Sequence, residues 1–212
     1  VAERQAVQQA LGKLELAVTS FAKNSIEILR NLGRGRFVPS GKIPVGGSPW
    51  EIVSADFTGD RLVDLAVSCY RDSSISILRG NGTLKPATVI NLPAAINPKA
   101  ILPLDRNVDG RLHLAVANYR SNSVIILREI GKDSVGTAIS IATAANPTGI
   151  AAADFDGDGR MDLGITSEGS DIVQVFMGNS SQSFDPPQNY TVGRSPSMIV
   201  AGDFDGDGWV DL

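Results

Sequence analysis

The chain has 212 residues, 42% of them hydrophobic and 20% charged, with 19 Lys and Arg against 23 Asp and Glu and a formal net charge of −4. This composition is neither that of a disordered chain nor membrane-like, and no apolar run reaches the ~18 residues that a membrane-spanning helix needs. A single cysteine, Cys69, excludes an internal disulfide framework and a Cys-rich zinc site, and the mildly acidic balance argues against a nucleic-acid partner. The first residues, VAERQAVQQA, lack a charged-then-apolar secretory leader. Either a leader has been removed or the chain is a piece of something longer.

Internal repetition organises the rest. In chain order, VQQALGKLEL starts at Val7, DFTGDRLVDL at Asp56, DRNVDGRLHL at Asp105, DFDGDGRMDL at Asp154 and DFDGDGWVDL at Asp203, each 49 residues after the last. Pro49, Pro98, Pro147 and Pro196 keep the same spacing, as do Ala17-Val18, Ala66-Val67, Ala115-Val116 and Gly164-Ile165. IEIL, ISIL, VIIL and VQVF form a further column at 26–29, 75–78, 124–127 and 173–176.

Each repeat contains four short strand candidates. An apolar segment after the proline (WEIVSADF, AILPLD, GIAAADF, MIVAGDF) leads into the acidic loop. LVDLAVSCY or RMDLGITS follows, then a polar turn, an alternating apolar run, a Gly/Asn turn and a weaker β-type stretch such as ATVINL or NYTV. Only residues 1–12 admit a helix, and they also read as a worn first strand. Four-stranded units of ~40–50 residues are blades of a β-propeller. The expected fold class is therefore all-β, a propeller of 49-residue blades at about 1–47 (degenerate), 48–96, 97–145, 146–194 and 195–212 (incomplete). A partial ring is expected, either a fragment of a larger propeller or an arc completed by another copy. A closed four-bladed ring with the last segment as clasp is the alternative.

The acidic loops carry the chemistry. In D-x-D-G-D-G-x-x-D the acids at positions 1, 3, 5 and 9 are expected to converge, with the carbonyl of position 7 adding an oxygen. Hard oxygen ligands of this number suit Ca²⁺ better than Mg²⁺. Asp154, Asp156, Asp158 and Asp162 form one full set with Arg160 at position 7, and Asp203, Asp205, Asp207 and Asp211 another with Trp209. Asp56, Asp60 and Asp64 form a weaker set, because Thr58 replaces the second acid and Arg61 the glycine. Asp105, Asn107 and Asp109 make a doubtful set with His113 at position 9, and the Val7 copy should bind nothing. The alternative is that Asp and Gly are simply good turn formers. An EF-hand is excluded, since Ile165 stands where its bidentate Glu would be.

The loops DFDGDGRMDL and DFDGDGWVDL, the apolar strands before them and the G-x-S-P of Gly46–Pro49 and Gly193–Pro196 resemble FG-GAP/VCBS repeats. The resemblance covers about residues 7–212. It implies the propeller fold of integrin α-subunits, bacterial surface proteins and some fungal lectins. It also implies calcium in loops joining the first and second strands of a blade, and an extracellular, secreted or cell-surface setting.

If the acidic loops lie on one face, the turns after the second strand and the proline connections lie on the other. Phe21, Tyr70-Arg71 and Tyr119-Arg120 share one column there, with Trp50 nearby. Aromatic planes and Arg forks suit sugars, peptides or carboxylates, or they merely edge a hairpin. Arg30, Arg79 and Arg128 form another column, read as a solvated stripe. The lone histidine, His113, leaves no recognisable catalytic constellation. The expected function is a non-enzymatic, calcium-binding module for a glycan or protein ligand. The alternatives are the propeller portion of a lyase-like polysaccharide enzyme, or a structural module that self-associates through open blade edges. Neither nucleic-acid binding nor membrane insertion is expected. Thirteen of the 23 acids fall in the four recognisable loops, so the acidity is concentrated there and an acidic glycan on the opposite, Arg-bearing face is compatible with the charge.

Overall fold

The computed structural model describes residues 5–10, 13–83, 88–92, 96–105, 110–128, 130, 136, 138–181 and 183–212. Its first sheet contains β1 (Gln5–Ala10), β2 (Lys13–Ser20), β3 (Ser25–Gly33) and β4 (Arg36–Pro44). The second contains β5 (Pro49–Ala55), β6 (Asp64–Cys69), β7 (Ser74–Arg79) and β8 (Thr88–Leu92). The third contains β9 (Pro98–Leu104), β10 (His113–Asn118), β11 (Ser123–Leu127) and β12 (Ala138–Ala142). The fourth contains β13 (Pro147–Ala153), β14 (Asp162–Ser167), β15 (Ile172–Phe176) and β16 (Gln188–Thr191). All pair as antiparallel meanders in chain order. The degenerate opening segment is thus a strand, and the helical reading of residues 1–12 fails where Gln5–Ala10 pairs with β2.

First strands meet across blades: β1 packs on β5, β5 on β9 and β9 on β13. The four sheets form an open arc of a propeller, which corrects the closed four-bladed alternative. Residues 196–212 begin another repeat against the fourth blade. There the Thr148 hydroxyl donates to the Pro196 carbonyl at 2.7 Å, and Gly202 pairs with Asp211.

The core lies between blades and has a simple size rule. The second strand of a blade is buried on both sides, so its alternating residues face two different neighbours. Leu65, Val67 and Cys69 pack toward the first blade, whereas Ala66 joins Ile101, Leu114 and Val116 of the third. Ala115 and Ala117 repeat this toward Ile150, Leu163 and Ile165 of the fourth. Gly164 continues it, with Leu212 and Ile199 where its Cβ would stand. Large residues facing one neighbour and small residues facing the other interdigitate at close packing. The Ala/Gly column is the spacing rule of the arc.

Proline begins β5, β9 and β13, and each strand has a register shift immediately afterwards: between Pro49 and Ile52, opposite the Val116/Asn118 irregularity that faces Pro98, and between Pro147 and Gly149. Proline cannot donate to the ladder, so pairing is interrupted at this end of the strand. The resulting bulges contain Trp50, Lys99 and Thr148. Bulges re-aim side chains, and these occur on the face opposite the acidic loops.

Ala115→Leu should overfill the seam between the third and fourth blades, because Ala115 has no exposed surface. The expected cost is about 1–3 kcal/mol in denaturant unfolding. Gly41→Ala is the control, since an added Cβ there meets nothing within 4 Å. It should stay within about 0.5 kcal/mol of the parent.

Candidate functional sites on opposite faces

The acidic loops connect the first and second strands of their blades. Within each, the first Asp wraps the backbone. Asp154 accepts the N–H groups of Gly157, Asp158 and Gly159 at 2.8–3.0 Å. Asp56 accepts those of Gly59, Asp60 and Arg61, and Asp203 those of Gly206 and Gly208. These bonds hold the Asp154 carboxyl below the usual carboxylate range, with the Gly159 N–H the largest cause. Gly157 and Gly159 have φ of +76° and +84°, the left-handed backbone such a loop requires. Arg61 adopts φ +67° without being glycine.

Position 9 does different work. Asp162 is fully buried at the start of β14; one oxygen accepts the Phe155 N–H at 2.8 Å and the other the Gly178 N–H at 2.7 Å. Asp64 repeats this with Phe57 at 3.1 Å and Gly80 at 2.7 Å. Both carboxyls are pushed above their ordinary value, with burial the largest cause and the two backbone N–H groups opposing it. Glu15 occupies the same place in the worn first repeat, 5% exposed, and accepts the Asn31 N–H at 2.7 Å. His113 takes the position in the third blade, 6% exposed.

Three acids converge in each full loop. Asp154, Asp156 and Asp162 bring ligand oxygens within 4.8 Å of one another, and so do Asp203, Asp205 and Asp211. The fourth acid of each expected set turns elsewhere. Asp158 accepts the Arg160 backbone N–H at 2.8 Å and pairs with the Arg160 guanidinium, while Asp207 accepts the Trp209 N–H at 2.8 Å. In the second blade Asp60 does the same for Leu62, and Asp56, Asp60 and Asp64 form no comparable trio. Asp105 accepts the Gly110 N–H at 2.9 Å; Asn107 and Asp109 lie outside the described residues. The two trios fit a hard cation, with three carboxylate donors each.

The opposite face carries an aromatic row across three blades. Phe21 meets Trp50 edge-on at 5.8 Å, Trp50 lies 6.2 Å from Tyr70, and Tyr70 lies 6.3 Å from Tyr119. Lys99 sits among them, its ammonium 3.7 Å from the Tyr119 ring centre and 5.2 Å from that of Trp50. It also pairs with Glu168 of the fourth blade at 3.0 Å. Burial, followed by the negative charge and hydrogen bond of Glu168, raises the Tyr119 hydroxyl above its usual range.

Asparagines fix the turns that present this row. The Asn97 amide donates to the Tyr70 carbonyl at 2.9 Å, and its own carbonyl accepts the Tyr119 N–H at 3.2 Å. Asn146 donates to the Tyr119 carbonyl at 3.0 Å and accepts the Glu168 N–H at 3.0 Å. Arg71 bonds Ser48 of its own corner at 3.3 Å, and Arg120 is exposed beside Tyr119. The sequence singles out Phe21, Trp50, Tyr70 and Tyr119 but not Lys99 and Glu168. Lys99 follows Pro98 as Trp50 follows Pro49, and that register was the available signal.

Asp64→Ala strands the Phe57 and Gly80 N–H groups in the core. We expect a loss of about 2–4 kcal/mol, equal in calcium and in chelator because this blade has no carboxylate trio. Denaturant melts under both conditions check it.

A family model for the FG-GAP-like repeat matches residues 12–67, 56–114 and 105–165, the second and third spans each running from one acidic loop into the strand after the next and the first starting in the worn repeat. No curated protein matches the chain in sequence. Among solved structures, it resembles a streptogramin B lyase at 16% identity and a TM-score of 0.62, covering 97% of this chain and 60% of that one. A BBS1N structure in complex with ARL6DN matches at 17% identity and a TM-score of 0.67, covering 94% and 60%. An Agrocybe aegerita lectin, described as recognising non-reducing terminal N-acetylglucosamine, matches at 16% and 0.58, covering 90% and 52%. The chain thus spans about half to three-fifths of the length of these structures, and at such identities they share its fold alone. With three consecutive family matches over most of its length, the chain belongs to the FG-GAP-like repeat family.

Proposed function

We propose that this chain is the ligand-binding arc of a calcium-stabilised propeller, and that its ligand is a glycan or sugar acid seated on the row around Lys99. One observation carries the reading: a cation only 14% exposed, held over Tyr119 and beside Trp50, with the Glu168 carboxylate at hand. Aromatic rings take the C–H faces of a sugar, while Lys99 and Glu168 can hydrogen-bond its hydroxyl or carboxylate oxygens. The lectin neighbour supports the same ligand class by analogy.

A second reading adds chemistry to the same site. Glu168 can accept a proton, and the raised Tyr119 hydroxyl remains protonated and able to donate one. The likeness to a lyase supports it, with any further groups supplied by the rest of a longer ring.

On the other face, Asp154, Asp156 and Asp162 would hold one calcium ion, and Asp203, Asp205 and Asp211 another. The ion would neutralise carboxylates that otherwise repel one another. Such sites, tuned to about 10⁻⁴–10⁻³ M, suit an extracellular setting. Among the described residues no helix is long and apolar enough to cross a membrane.

Binding is tested on a glycan array in millimolar calcium. Lys99→Met and Tyr119→Ala should each weaken binding at least about tenfold, equivalent to roughly 1.4 kcal/mol. Unchanged binding by both variants would refute the site. Tyr119→Phe keeps the ring, so it should retain binding, and should abolish turnover of an acidic polysaccharide if the second reading holds. Sedimentation over a range of concentrations tests self-association.

Calcium at 100 times its dissociation constant should stabilise the fold by about 2.7 kcal/mol per site. Chelation should therefore lower the melting temperature by roughly 5–10 °C per site. Asp156→Asn should abolish the share of the fourth-blade loop, since it removes one charge of the trio while its amide oxygen can still accept the Asp158 N–H. A calcium-loaded chain indifferent to chelator would contradict the metal reading.

A further inference from the structure

We propose that the Arg79 guanidinium takes the place of a bound cation in the second blade, so that the chain itself closes the Asp56 loop. The Asp154 and Asp203 loops, by contrast, depend on an ion. The contrast rests on the metal reading above; the role of Arg79 does not.

Register supplies the first argument. At the 49-residue spacing, Arg30, Arg79 and Arg128 occupy one column in or just after the third strand of the three blades with incomplete loops, and the same column holds Met177 in the blade whose loop is complete. The following residue donates its N–H to the position 9 acid, Gly80 to Asp64 and Gly178 to Asp162, both at 2.7 Å. Arg79 and Met177 therefore stand at equivalent places beside their loops. The approach is tight: a Cβ on Gly80 or Gly178 would collide with the carbonyl of Val63 or Met161.

Geometry supplies the second. The Arg79 side chain is only 16% exposed and reaches to 4.0 Å from the Asp60 carboxylate. Its Nε is buried with no hydrogen-bond partner among the described residues. A guanidinium keeps its charge at any working pH, so burying it is costly unless negative charge lies close by. The Asp56 loop provides that charge. It lacks the third convergent carboxylate, because Thr58 stands where Asp156 stands in the fourth blade, and so it does not fit calcium.

The sequence reading of this arginine column as a solvated stripe therefore fails at Arg79. Arg160 is no equivalent. It pairs with Asp158 from the solvent rim, its side chain 47% exposed, and Asp158 lies outside the carboxylate trio. Arg160 can swing away when an ion enters, whereas Arg79 is walled in.

The test uses thermal melts and calcium calorimetry on the full chain. In chelator, R79M should melt at least about 3 °C below the parent. R79K, which restores a charge, should recover part of that loss. M177R should lower the number of bound calcium ions by one. The proposal is overturned if R79M melts with the parent in chelator, if M177R leaves the stoichiometry unchanged, or if D56N removes a bound ion. A parent chain that binds no calcium would sink the metal reading alone; the R79M melt in chelator would still decide the role of Arg79.

Discussion

A buried carboxylate at the start of the second strand ties each acidic blade together. Asp64 and Asp162 each accept two backbone N–H groups, one from the loop before the strand and one from the turn after the third strand. Water cannot replace the acid in a site with no exposed surface, so its loss leaves two donors unpaired. This explains why the worn first repeat discards its other loop acids yet keeps Glu15 bonded to Asn31. The acid is an architectural group first. Where the neighbouring loop also brings two further carboxylates alongside, it becomes one corner of a cation site.

The same strands separate two kinds of chemistry onto opposite faces. At one end, glycine and aspartate let the backbone curl around carboxylates. At the other, proline interrupts the ladder and leaves bulges holding Trp50, Lys99 and Thr148. The alternation of large and small residues brings successive blades close enough for Trp50, Lys99 and Glu168 to meet, although they come from three different repeats. Metal binding would then stabilise the arc without occupying the ligand face. The carboxylate loops and the aromatic row stay physically apart.

Much of this organisation was legible in the residues. A 49-residue period with punctuated apolar runs leaves few architectures other than blades, and the acid columns mark the loops directly. Spacing reports only which residues share a loop, not which of their carboxylates face one another. Asp158 and Asp207 instead satisfy nearby backbone donors at Arg160 and Trp209. Lys99 shares only its register after the proline column with Trp50, and its partner Glu168 lies 69 residues further along the chain, so the pair is not legible in the sequence. Arg79 reads as a surface charge in the sequence because strand periodicity does not show that the acidic loop of its own blade comes to lie beside it.

The sequence by itself determined the repeat, the four-stranded unit, the loops that gather acids and the face on which the aromatics fall. Those are local properties of turn residues, alternation and register. Only the tertiary structure decided which three acids converge, which blade is neutralised by its own arginine and which lysine centres the aromatic row. Each of those outcomes depends on distances between segments tens of residues apart. Such distances are set by side-chain volumes packed between blades, a constraint that no single repeat contains.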